Sequence, residues 1–191
     1  MHEDIFVPDT SLTKVDEDWD VLCKQNPEYF DGDIVHVLHV NRTGCGGATL
    51  QVARSSYRFH AVGGLGMTPL GVKGICMQEG KYLCGLRGKH MGAYPKMWEF
   101  APAGMVEPDQ KPEDIIEREL EEETGLMLNS PPTAVALYFD EDVSTWEIVF
   151  RLHVTGECLA GGTEYESLGW FDIKKMPSPM SPPAIQMKSL L

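Results

Sequence analysis

Between Pro112 and Gly125 the chain leaves itself little conformational choice. A proline suits the first turn of a helix, where its missing N–H would have found no partner, and Glu113 and Asp114 face the positive end of the helix dipole. Gly125 offers a left-handed stop. The spacing therefore predicts a helix over 112–124, on which Ile116 and Leu120 sit about 40° apart around the axis with Ile115 beside them, a stripe able to anchor on a sheet. Glu119, Glu122 and Glu123 are related by spacings of three and four and share the border of that stripe.

The run from Gly104 to Leu126 carries nine carboxylates and two cations, so salt bridges within the helix cannot neutralise it. Two readings stand: a solvated acidic face, as on many glutamate-rich helices, or a set of oxygen ligands for a divalent ion. Magnesium or manganese suits such donors, and waters left on the ion make room for phosphate oxygens. Repulsion among the three glutamates raises at least one carboxylate pKa unless a cation is near.

The rest of the composition bounds the answer. A chain of 191 residues is long enough to bury one substantial core. Cys23, Cys45, Cys76, Cys84 and Cys158 are odd in number and lack zinc-ligand spacing, which favours a reduced, cytoplasmic protein over a disulfide framework. Apolar stretches fall short of the roughly 20 residues a membrane helix needs, and the acidic start is unlike a secretion signal. A formal charge of −13 disfavours a broad nucleic-acid surface, and no basic stripe with interleaved aromatics suggests single-strand binding. A small phosphorylated substrate stays compatible, because bound cations reverse the local field.

Along the chain, residues 1–33 read as an N-terminal extension with a short helical stretch around 16–24. Alternation over 34–40 and an extended pattern over 48–54 read as a hairpin, and 57–69, rich in glycine, reads as loop. A second apolar pair, 72–78 and 81–87, is joined by Glu79 and Gly80. Short strands are expected at 98–100, 135–139, 146–154 and 170–171, and a brief helix or tail follows the prolines of 177–183. Many short strands around one strong helix give an α/β fold on a mixed sheet, with 34–191 as one domain and 34–69 as a hairpin subdomain within it.

At fixed spacing, Gly104, Gln110, Arg118, Glu119, Leu120, Glu122, Glu123, Gly125 and Leu126 resemble the Nudix box, a loop-helix-loop motif. Every element matches except Gln110, where the family has a glutamate. The resemblance implies an α/β/α sandwich and hydrolysis of a nucleoside diphosphate linked to another moiety, with Mg2+ or Mn2+ as cofactor. It implies Glu119, Glu122 and Glu123 as metal ligands, with the Ala103 carbonyl as a further one, and Arg118 as the residue that fixes the loop. Gln110 still accepts a hydrogen bond from Arg118 but brings no charge, which leaves a catalytically weakened nucleotide-binding protein as the alternative.

Upstream, the segments FDGDIV, SSYRFHAVGG and PLGVKGICMQEGKYLCGLRG resemble the UDP-glucose-type pyrophosphatase branch, so a nucleotide sugar such as UDP-glucose, or ADP-ribose, is the expected substrate. Arg87 and Tyr94 are candidate substrate contacts. Arg87 is read either as a surface charge or as a phosphate partner, and Tyr94 as one of several rings able to stack on a base, with Tyr57, Phe59, Trp98 and Phe139. Water attack needs a proton acceptor from another loop. The turn at Asp140, Glu141 and Asp142 qualifies, as do Glu164 and Glu166 after Gly161 and Gly162. The resemblance favours the second pair, with Glu166 ahead of Glu164. A homodimer is the expected assembly.

Overall fold

The computed structural model describes residues 5–27, 29–158 and 164–191, apart from the Cys45 side chain. In chain order it contains α1 (Leu12–Gln25), β1 (Asp33–Arg42), β2 (Ala48–Ser56), α2 (Tyr57–Ala61), β3 (Leu70–Gln78), β4 (Lys81–Arg87), β5 (Trp98–Phe100), β6 (Ala103–Met105), α3 (Pro112–Thr124), β7 (Met127–Leu128), β8 (Thr133–Asp140), β9 (Thr145–Thr155), β10 (Tyr165–Phe171) and α4 (Pro182–Met187). Helix α3 has the bounds its end signals predict, and Gly125 closes it in the left-handed conformation at φ 70°.

The main sheet is mixed. β3 and β9 run parallel, and every other pair within it is antiparallel, in the order β10-β4-β3-β9-β7 with β8 also on β9. β3 and β4 join through Glu79 and Gly80, both at positive φ, the type I′ geometry that matches strand twist. Past two residue pairs the two strands part. β6 pairs with β3 and β5 with β4 beyond that point, so the segment from Trp98 to Met105 fills the split.

Helices cover both faces. Ile115, Ile116 and Leu120 of α3 pack with Val72, Cys76, Phe150 and Leu152 on one side, while Ala184 and Met187 of α4 pack with Ile75, Cys84, Phe100 and Val149 on the other. This is the expected α/β/α sandwich. The N-terminal hairpin β1–β2 is a separate two-stranded sheet. It docks through Val35, whose N–H donates to the Val106 carbonyl at 3.0 Å, and Val37, whose N–H donates to the Thr68 carbonyl at 2.9 Å.

Several expectations need correction. The 57–69 stretch is not all loop, because Phe59 turns into a small core with Val15, Ile34 and Met67 and closes the helix α2 over it. β6 and β7 were not expected, being only three and two residues long and paired in place by longer neighbours. β10 begins at Tyr165, so Glu166 lies on a strand rather than in a loop. Gly161 and Gly162 lie outside the described residues.

Replacing Leu120, which is 1% exposed, by alanine is expected to destabilise the fold by about 2–5 kcal/mol. The measurement is the urea midpoint at unchanged m-value. A loss below about 1 kcal/mol would show that α3 is not anchored through this stripe.

Candidate active site

A cavity of about 1520 Å³ opens where β3 and β4 part, and its wall is built from both the sheet end and the N-terminal segment. From the sheet come Lys73, Arg87, Glu99 and Glu147; from the box come Ala103, Gly104 and Glu119; Glu164 closes one side. The N-terminal segment contributes Tyr29, Tyr57 and His60.

Gly104 brings the box loop against α3. A Cβ there would lie 2.6 Å from Glu119 Cγ, so only glycine allows this approach. Arg118 then ties the pieces together: Nη2 donates to Glu107 Oε1 at 2.6 Å and to Glu119 Oε1 at 3.0 Å, and Nη1 donates to Gln110 Oε1 at 3.4 Å. Gln110 in turn donates to Glu107 Oε2 at 2.6 Å.

The three helix carboxylates take different partners. Glu119 turns to Arg118, Glu123 accepts the Ala103 N–H at 3.1 Å, and Glu122 faces solvent. Among the described residues, no three acidic, histidine or cysteine side chains converge as they would around an ion. The tight convergence expected of Glu119, Glu122 and Glu123 is therefore not seen. The reason is electrostatic: carboxylates this close repel, and each takes the nearest donor or water instead.

One of them is left short. Glu123 Oε1 is buried and has no hydrogen-bond partner. Burial first, then the facing Glu164, push the Glu123 carboxyl well above the usual carboxylate range. Glu164 is raised too, by burial first and by Glu99, against the pull of Arg87. Burial also raises Glu119, with Arg118 opposing. A buried acceptor without a donor fits a cation, so the residues present suit a divalent ion.

The two acids expected as alternatives after residue 162 are separated by the strand. Glu164 lines the cavity, and its carbonyl accepts the Gly88 N–H at 2.8 Å. Glu166 is exposed and paired with Lys96 at 2.5 Å, and Lys96 together with the Lys89 backbone holds its carboxyl below the ordinary range. Arg87 is not a surface charge. It is 8% exposed, bonded to Glu99, and its Nε donates to the Ala93 carbonyl at 2.8 Å. Tyr94 lines the cavity with its hydroxyl donating to Asp140 at 2.8 Å, so Asp140 and Asp142 act on the ring that the sequence offered as a stacking surface. Trp98 and Phe139 do not line the cavity, whereas Tyr57 and Phe59 do.

Sequence reasoning missed Lys73, Glu99 and Glu147. Lys73 Nζ lies 3.5 Å from Glu99 and 3.9 Å from Glu147. Each is a charge between uncharged neighbours within a strand, and that was the available signal, because chains rarely bury charge without a use for it. Tyr29 and His60 gave no signal before α1 and α2 brought them to Tyr57.

The buried Glu147 carboxyl is raised to about 7, by burial against Lys73, with Glu99 and Asp140 adding to the rise. A raised acid binds its proton more tightly folded than unfolded, so its contribution to stability is full below the unfolded value near 4.5 and is lost as pH climbs through about 7. In EDTA, the chain is expected to lose stability across that window, and Glu147→Gln is expected to remove up to about 3 kcal/mol of the decline. Urea titrations at pH 5, 6 and 7.5 decide it. A wild-type curve that is flat, or a variant as steep as wild type, would refute the buried carboxyl's role.

Comparison with known proteins agrees with this architecture. The NUDIX domain profile matches residues 67–191. Among solved structures, a MutT NUDIX hydrolase from Burkholderia pseudomallei is 23% identical and aligns over 63% of this chain and 95% of its own, with a TM-score of 0.57. A MutT protein from Methanosarcina mazei Go1 is 21% identical over 62% of this chain and 88% of its own, with a TM-score of 0.52. A bifunctional NMN adenylyltransferase/ADP ribose pyrophosphatase from Francisella tularensis, complexed with AMP and a manganese ion, is 19% identical over 64% of this chain and 40% of its own, with a TM-score of 0.51. At these identities the likeness is one of fold, and no curated protein matches the chain. With the profile covering the main sheet, the box and α4, the chain belongs to the Nudix family.

Proposed function

We propose that the protein hydrolyses the phosphoanhydride of a nucleoside diphosphate linked to another moiety, a nucleotide sugar such as UDP-glucose or ADP-ribose, with Mg2+ or Mn2+. The observation that carries this is the buried, unpartnered Glu123 Oε1, which faces Glu164, a residue that lines the cavity together with Glu119. Folding buries this acceptor without a donor, and a bound cation would supply the missing partner.

Glu119, Glu122 and Glu123, with the Ala103 carbonyl, are the groups proposed to hold the ion. When bound, it lowers the pKa of water and neutralises the diphosphate. Arg118 keeps Glu119 oriented. Glu164, rather than Glu166, is the proposed proton acceptor, because it lies on the cavity and beside Glu123 while Glu166 is paired away from it. Lys73 and Arg87 give the floor positive charge for phosphate oxygens, although Glu99 already engages both.

The nucleoside half is supported by the rings of the N-terminal segment. Tyr57 packs with Tyr29 at 6.3 Å and His60 at 5.9 Å between ring centres, and Trp19 stacks on Tyr29 at 5.9 Å. Its hydroxyl is pushed up to about 12 by burial first and then by Tyr29 and Glu164, so the ring stands close to the acidic cluster. Rings at a cavity wall offer apolar faces against which a base can pack. Against the weakened-binder alternative, Glu107 returns to Arg118 the charge that Gln110 lacks.

The test is turnover of UDP-sugars, ADP-ribose, dinucleoside polyphosphates and coenzyme A with each metal. Glu123→Gln is expected to lower kcat by more than about 100-fold, beyond what loss of an outer-sphere contact costs. The same variant is expected to raise the melting temperature in EDTA at alkaline pH, where the buried carboxyl would otherwise have to ionise. Glu117→Gln, on the exposed side of α3, should change neither. Tight nucleotide binding with no product under either metal would favour the binder.

A further inference from the structure

We infer that Glu107 is a positioning residue of this site, holding Arg118, and through it Glu119, with the negative charge that the box position 110 does not supply. The inference rests on the metal-dependent reading above only for its consequence, since the contacts themselves involve no ligand.

The geometry divides the work between the two side chains. Glu107 uses one oxygen for each neighbour: Oε1 takes Arg118 Nη2 at 2.6 Å, and Oε2 takes Gln110 Nε2 at 2.6 Å. Gln110 passes the bond on, accepting Arg118 Nη1 at its own oxygen. An amide can do this because it donates and accepts at once. A glutamate at 110 would set a second carboxylate against Glu107, where the structure has a donor. The pair Glu107 and Gln110 is thus a matched unit, one charge and one relay, rather than a defect at 110.

The loop is bent to allow it. Asp109 stands at φ 63°, the Gln110 N–H donates to the Glu107 carbonyl, and the turn carries both side chains to the same guanidinium. Asp109 also accepts Arg54 of β2 at 2.7 Å, so the N-terminal hairpin holds the outer side of the turn. Arg118 in turn meets Glu119 at 3.0 Å. A planar guanidinium held at two points fixes the third partner, which a lysine could not do.

The test is a charge relocation, with Glu107→Gln and the double variant Glu107→Gln/Gln110→Glu compared with wild type. Manganese affinity is read by calorimetry, and exchange of the 105–111 amides is followed by mass spectrometry in EDTA. Glu107→Gln is expected to weaken manganese binding about 10- to 100-fold and speed loop exchange. The double variant is expected to return both to within about threefold of wild type, a rescue that a purely structural loss would not give. An unchanged affinity and exchange in Glu107→Gln, or a double variant no better than the single one, would overturn the inference. If wild type binds no manganese, the metal-dependent function fails, and loop exchange in the two variants still decides whether Glu107 holds the turn.

Discussion

A sheet that splits must replace the backbone pairing it gives up, and here the replacement is organised around Glu99. Lys73 comes from β3 and Arg87 from β4, the two strands that part, while Glu99 comes from β5, inside the wedge, and Tyr165 from β10. Lys73, Arg87 and Tyr165 thus all meet the Glu99 carboxylate. Burial opposes the charge on Glu99, yet Lys73 and Arg87 outweigh it and hold the carboxyl below its ordinary range. Pairs of this kind contribute little net stability, because desolvation offsets attraction, but losing one partner costs several kcal/mol. Their value is in register: only one placement of the wedge satisfies both cations. The cavity exists because the strands diverge, and its floor is polar because the divergence is held by charge.

The same logic runs in the opposite direction at the box. Glu99 has more cation than it needs, whereas Glu123 and Glu164 have less, and both carboxyls rise as a result. Over-compensated and under-compensated acid thus stand in one fold, the first in the wedge and the second at the box and β10. The floor is rigid and complete by itself; the rim is costly until positive charge arrives. A fold can bear such a cost at a site if packing elsewhere holds the geometry, and Ile115, Ile116 and Leu120 beneath the same helix supply that packing.

What the sequence disclosed follows from how local each feature is. The ends of α3 are written in Pro112 and Gly125, and the β3–β4 turn in Glu79 and Gly80, because backbone preference within a few residues decides them. β6 is different. Ala103, Gly104 and Met105 have no strand pattern and become a strand only because β3 is left unpaired beside them. Lys73 and Glu147 looked like interruptions of apolar runs, and their use emerged only when the parallel pairing of β3 with β9 set Gly71 opposite Glu147. Glu164 lines the cavity whereas Glu166 pairs with Lys96, and the register shift between Tyr165 and Ser167 that lies at this point is a bulge that sequence spacing does not encode. Arg118 was legible as a lock, but Glu107 as its partner depended on the backward turn at Asp109.

The N-terminal segment shows why substrate choice is harder to read than chemistry. The family match begins at residue 67, yet Tyr29, Tyr57 and His60, all before it, line the cavity with the box. The aligned structures likewise cover 62 to 64% of this chain. The family match therefore reports on the main sheet and the box, while some of the cavity's walls come from sequence the family pattern does not include. Those walls are not independent of the core: Val35 bonds the backbone at Val106, and Arg54 pairs with Asp109. Both contacts fall on the loop between Gly104 and α3. A change in how the hairpin docks must then be felt by the turn that carries Glu107, so the segment that shapes the cavity and the loop that orients the acids are mechanically one unit.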